Sequence, residues 1–345
     1  MMPRIRHSWG PALASLRGAA GRVPRRRWVA IAGAVVLVAF GLLGVFMRCA
    51  PDQVRRLPGV ERIVGAELPT YRRSVFGLHS PLSVAATGDG QWLYVAEGTG
   101  ERTVLKLNGR DGEIQATLVP PLTAPGTRKP LSVAVGPDGM VYVVDRVRRT
   151  VDVYDREDRW VGGLPVPGAE HTWSPLSVDT DGAGNIYVTN THDNGPVLTV
   201  YSADGHIRDT YQTIEAGGAA LSFPNGVSVD PRGRLVIADS NNSRLVLFDP
   251  ETSATSVFGT LPTETLALPR GVALDPHGLS LVVDANDHAV SAWDFSRAPR
   301  ARVFVFGEPG IEDGAFLFPN DIAVDGSGRI YVADRDNDRV QIWSD

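Results

Sequence analysis

Six polar side chains recur along this 345-residue sequence at near-constant spacing, each ending a short aliphatic run: Glu97, Asp145, Asn190, Asp239, Asp284 and Asp334. A ring of carboxylates could suit a metal ion. Its recurrence in every copy argues instead for hydrogen bonds to turn backbone, the ordinary use of Asp and Asn where a chain reverses. Arg102, Arg149, Arg244 and Arg339 follow a few residues later and are expected to pair with that ring or to cover the sheet edge with their stems. The histidines are scattered: His171, His192 and His288 fall in connections between aliphatic runs, where a stray imidazole is common. Cys49 is the one cysteine, which excludes a disulfide framework and any multi-cysteine zinc or iron–sulfur centre. The sequence contains no G-x-S-x-G elbow, H-E-x-x-H pair or P-loop, so covalent catalysis has no candidate.

The elements that must position these residues repeat as well. PLSVAATGDGQWLYVAE from Pro81 returns as PLSVAVGPDGMVYVVD from Pro130 and PLSVDTDGAGNIYVTN from Pro175. PNGVSVDPRGRLVIAD, PRGVALDPHGLSLVVD and PNDIAVDGSGRIYVAD follow from Pro224, Pro269 and Pro319, so the prolines are 49, 45, 49, 45 and 50 residues apart. Within each copy two β-branched or aliphatic runs flank a glycine turn, which reads as a hairpin. A third run follows, as in Leu245–Phe248, and a fourth ends in Phe-Gly at Phe258-Gly259 and Phe306-Gly307. Four short antiparallel strands in about 45 residues is the size of one propeller blade.

The pattern P-x-[GDS]-[IV]-x-V-D, G-x-I-Y-V-A-D, N-x-R-[VI], plainest from Pro319 to Val340, resembles the NHL repeat. The resemblance covers residues 70–345; it is strong in the last three copies and looser in the first three, where Leu-Ser follows the proline. Six copies imply an all-β, six-bladed propeller with four-stranded blades. The last copy ends after three strands, so Tyr71–Gly77, which also ends in Phe-Gly, is expected to supply the missing outer strand, with residues 70–77 closing the ring and abolishing an open edge.

In propellers of this family the residue after each opening proline lies at the mouth of the central channel, which here implies Leu82, Leu131, Leu176, Asn225, Arg270 and Asn320. Gluconolactonase-like propellers hold a divalent ion there with one Glu, two Asn and an Asp; Asn225 and Asn320 resemble the amides, but no Glu opens a first strand. The amidating lyase of similar fold places zinc-binding histidines in the turns after the second strands. His288 and His192 resemble two of these, while Glu101 and Arg102 stand where a third would be. No cofactor is therefore expected, with a channel ion as the alternative. Among aromatic residues, Phe223 and Phe318 are expected to pack between blades. Trp173, with Glu170 and His171 in the connection from Gly163 to Ser174, is expected to be an exposed binding anchor, because loops carry function.

Charge gives the expected address. Residues 1–48 hold eight Arg and no acidic residue, leaving 26 basic against 39 acidic residues beyond, or −13. An acidic body lacks the electrostatic drive for nucleic acid, and no nucleic-acid partner is expected. Twenty uncharged residues, 28–47, lie between Arg27 and Arg48; as a helix they span about 30 Å, the thickness of the hydrocarbon core of a bilayer. They exceed the apolar region of a signal peptide, and no A-x-A site follows. Nor do Phe46-Met47-Arg48 resemble the small residues that precede a lipidated cysteine. Seven Arg before the span place the N-terminus in the cytoplasm and the remainder outside. The expected organisation is a basic tail (1–27), a signal-anchor helix (28–48), a linker (49–69) and the propeller (70–345), at a bacterial cell membrane given only two Lys against 32 Arg. The expected function is binding of a protein, peptide or glycan on the outward face, similar to the sensor propellers of bacterial receptor kinases but with no kinase. The alternative is a metal-dependent hydrolase or lyase.

Overall fold

A computed structural model describes residues 68–168, 173–191, 195–298 and 301–344. The basic tail, the apolar span, Cys49 and the linker as far as residue 67 lie outside them, as do Glu170, His171 and His192. Among the described residues no helix is long and apolar enough to cross a membrane.

Six four-stranded antiparallel sheets are formed, each ordered first to fourth strand from the inside outwards. Blade 4 is representative, with Pro224–Val229, Leu235–Asp239, Arg244–Phe248 and Thr255–Phe258. Every first strand opens on its proline, the strand position that best suits a residue with no N–H to give the ladder. The outer strands stop at glycines with positive φ in Gly77 (83°), Gly259 (82°) and Gly307 (87°), a conformation that costs glycine little and other residues more.

Blade 6 takes its inner three strands from Pro319–Val324, Ile330–Asp334 and Arg339–Ser344, and its outer strand from Thr70–Val75. The register runs from Thr70 opposite Ser344 to Val75 opposite Val340, with a bulge between Tyr71 and Arg73. Arg72 Nε donates to Ser344 Oγ at 2.7 Å, and the Tyr71 ring meets Trp343 edge-on at 5.9 Å. The propeller thus closes its ring by joining its first and last strands in one sheet.

Apolar side chains from facing blades form six clusters, one at each junction. Between blades 6 and 1, Val340 and Ile342 meet Val84 and Leu93. Between blades 5 and 6, Phe306, Phe316 and Trp343 stack at centroid distances of 4.8–6.4 Å. Each blade is too thin to bury both faces alone, so stability arises at these junctions.

Candidate functional site at the channel mouth

The recurring ring is structural in every blade. Glu97, Asp145, Asn190, Asp239, Asp284 and Asp334 are all buried, and each sits opposite its blade's proline across the first pair of strands. Each accepts a backbone N–H from the loop entering that blade: His79, Lys129, Ser174, Ser222, Leu268 and Leu317 respectively. Asp145 and Asp284 also bond backbone N–H groups of the turn that follows, whereas fixing the entering loop is the role shared by all six. Of the arginines, Arg244 and Arg339 pair with Asp239 and Asp334 at 2.7 and 2.8 Å and also donate to backbone carbonyl oxygens. Arg102 and Arg149 are one residue out of register. They occupy the left-handed position (φ 51° and 55°) that Ser243, His288 and Asp338 hold elsewhere, and Thr103 and Thr150 stand where the paired arginines would be.

A girdle of inter-blade contacts lines the channel below. The Ser83 hydroxyl and Val84 N–H of blade 1 donate to Asp321 of blade 6; Val133 N–H donates to Ser83 and Val178 N–H to Ser132; Val229 N–H donates to Asp179. Gly226 and Gly271 complete it, because a Cβ there would collide with the Arg270 carbonyl and with Asp321. Burial pushes the carboxyl of Asp179 up to about 7 and that of Asp321 up to about 6, against the hydrogen bonds that favour their charged forms. A carboxyl raised in the folded state holds its proton more tightly there, so this contribution to stability is lost as pH rises from about 4 towards 7. Asp179→Asn should therefore be more stable than the parent at pH 8, by an amount on the order of a few kcal/mol. The difference should shrink to near zero by pH 4, and paired thermal melts across that range would reveal an unchanging gap if the carboxyl were not the cause.

Above the girdle, every first strand has a register shift directly after its proline. A bulge re-aims a side chain, and the residue in each one is the channel-mouth residue. Leu82, Leu131, Leu176, Asn225, Arg270 and Asn320 accordingly line one cavity of about 430 Å³, joined by Lys129, Arg335 and Asp336. The bulge residues of blades 1 to 3 are leucines and those of blades 4 to 6 are polar, with Ser80, Thr99 and Lys129 adding polar groups on the leucine side. The two amides are engaged: Asn225 Nδ2 donates to Ser240 Oγ at 2.8 Å and Asn320 Nδ2 to the Leu82 carbonyl at 2.5 Å. Arg335 pairs with Asp336 at 2.7 Å and lies over the Phe318 ring. Lys129 and Arg335 escaped sequence reasoning; their signal was adjacency, since Lys129 precedes a blade-opening proline and Arg335 follows a ring carboxylate.

The other sequence candidates lie elsewhere. Trp173 is not an exposed anchor: at 1% exposure it is buried between blades 2 and 3 with Tyr142, Val144 and Ile186. The ring fills a junction that Ser174 and Pro175 bring it to, and apolar area wins over a loop's usual exposure. Phe223 is 43% exposed and does not pack as expected, whereas Phe318 stacks on His288 at 4.6 Å. His288 Nδ1 accepts the Phe318 N–H at 3.0 Å, which ties blade 5 to the loop entering blade 6 and takes that nitrogen away from ligand work. Among the described residues no three or more His, Cys, Asp or Glu are grouped to hold a metal ion. With Lys129, Arg270 and Arg335 at the mouth, the residues present do not fit a divalent cation.

Residues 221–248 and 316–343 match the NHL repeat, so the propeller carries NHL repeats in its fourth and sixth blades. Over 133 residues the chain is 31% identical to the human (Homo sapiens) E3 ubiquitin-protein ligase TRIM32, a match spanning 34% of this chain and 19% of that protein. Among solved structures, Kuenenia stuttgartiensis hydrazine synthase superposes with a TM-score of 0.55 at 14% identity, covering 81% of this chain and 97% of the other. Streptogramin B lyase gives 0.57 at 14% identity, covering 79% and 96%. At such identities the likeness is one of fold, and fold alone does not carry function.

Proposed function

We propose that this chain is a membrane-anchored NHL propeller that binds a protein or peptide partner at its channel mouth. The observation that carries the reading is the mouth itself: six bulge-directed side chains around about 430 Å³, apolar over three blades and polar over three, in the size range of ligand pockets. NHL repeats and the partial match to a ubiquitin ligase favour a protein partner over a glycan. Catalysis of the lactonase or lyase type lacks comparable support, because among the described residues no three His, Cys, Asp or Glu converge on a metal position and Lys129, Arg270 and Arg335 line the mouth.

The address follows from the first 48 residues. An uncharged span of 20 residues behind seven Arg supports a single membrane crossing with the propeller on the extracytoplasmic side. The closing strand begins at Thr70, beside Ser344, on the rim opposite the mouth. The test is a photo-crosslinking side chain at Leu131 in the full-length chain on intact membranes. A discrete adduct is expected, lost when Arg270→Glu is added and absent when the crosslinker replaces Ile207 on an outer strand. Equal labelling from both positions, or none from Leu131, would overturn the assignment.

A further inference from the structure

We infer that the mouth receives a carboxylate carried on an apolar group, with Arg270 as its hydrogen-bond donor and counter-ion; this rests on the binding role proposed above and names the chemistry of the ligand. Arg270, partly buried at the mouth, stands apart from the buried arginines. Arg128, Arg244 and Arg339 each donate to two or more acceptors, whereas the buried Nε of Arg270 meets no acceptor among the described residues. Desolvation and the nearby positive charge of Arg335 together lower its pKa. Arg270 as a whole is partly buried, but a guanidinium whose Nε is shut away from water with no acceptor is a costly arrangement, one that an entering anion relieves. Asp336 does not supply that counter-ion, being paired with Arg335, and exposed Lys129 adds positive charge at the rim.

The remaining walls select the anion. Leu82, Leu131 and Leu176, from the three blades facing blades 4 to 6, present hydrocarbon to whatever is bound. A hydrated phosphate gains nothing from them, while an apolar residue next to a carboxylate gains from the leucines and from Arg270. A polyanion is disfavoured by the −13 of residues 49–345, which repels its distant charges. The planar fork of Arg suits a carboxylate held by two parallel bonds. The ligand chemistry is therefore an acidic group on a hydrophobic segment, either a chain terminus or an Asp or Glu side chain beside an apolar residue.

Titration calorimetry on the full-length chain in nanodiscs tests this with four probes. These are acetyl-Gly-Gly-Leu as the free acid, its C-terminal amide, acetyl-Leu-Asp-Gly-amide and inorganic phosphate. The free acid or the aspartyl peptide should bind at least tenfold tighter than the amide, and whichever of the two wins identifies the source of the carboxylate. Arg270→Gln should reduce that probe to the level of the amide, with Arg270→Lys intermediate. The melting temperature of Arg270→Gln should not fall, because the buried Nε has no partner to lose. Equal binding of acid and amide, phosphate binding above both peptides, no binding by any probe, or an unchanged Arg270→Gln would each overturn the inference. If mouth-dependent crosslinking from Leu131 persists in those cases, the partner-binding role survives without the carboxylate; if it is also lost, both fall.

Discussion

Deletion of residues 68–77 is expected to leave the propeller unable to fold as a monomer. The segment gives blade 6 its outer strand and buries Val75 at the junction between blades 6 and 1, with Tyr71 packed at the junction between blades 5 and 6. Buried apolar side chains of this size are worth about 1.5–3 kcal/mol each, and each ladder hydrogen bond adds about 1 kcal/mol. The sum approaches the 5–15 kcal/mol that holds a typical domain together. The loss has a second consequence, because Arg339–Ser344 becomes an open edge carrying Ile342 and Trp343, a template for pairing with another chain. Size-exclusion chromatography with light scattering should show aggregates or strand-exchanged oligomers. A monomeric product with an unchanged melting temperature would mean that the closing strand contributes little to the ring. Supplying residues 68–77 instead after Asp345, as a circular permutation, should restore the monomer, because the sheet needs the strand and not its place in the chain.

Trp173→Ala is expected to cost roughly 3–5 kcal/mol, the range for removing a buried large aromatic side chain. Its ring is among the largest fully buried side chains in the molecule and touches elements of two blades, so the cavity left behind cannot collapse without moving one blade against the other. For a domain of this size the loss corresponds to a fall in melting temperature of about 10 °C. Phe223→Ala is the matched control: its ring is exposed, and surface substitutions usually stay within about 0.5 kcal/mol. If Trp173→Ala melted with the parent and instead abolished partner capture, the residue would be a binding anchor after all.

The contrast between these two aromatics marks where the sequence stops being informative. Strand content, blade size and the six-fold count follow from interactions local to one repeat: period-two alternation, a glycine turn and a proline that opens a strand. Those features are written once per copy, and six prolines at 45–50-residue spacing count the blades directly. The ring from Glu97 to Asp334 was legible as structural for the same reason, although the partners common to every blade proved to be the entering loops, with the following turns joining in at Asp145 and Asp284. Arg102 and Arg149 show how fragile such reading is, since one residue of offset moves a side chain from a buried ion pair to a left-handed turn position.

Everything that depends on what a neighbouring blade brings was decided by tertiary structure. Trp173 and Phe223 both precede a blade-opening proline in loops without periodicity, and only the junction beside each determines which is buried. The girdle through Ser83, Asp321 and Asp179 joins residues as far as 238 apart in sequence, so no local pattern announces it. The same holds for Arg270. Its type and place at the mouth can be read from the chain, but its lack of a counter-ion is a property of the surrounding space. Short-range order is encoded residue by residue; the electrostatics of a closed ring exist only once its ends have met.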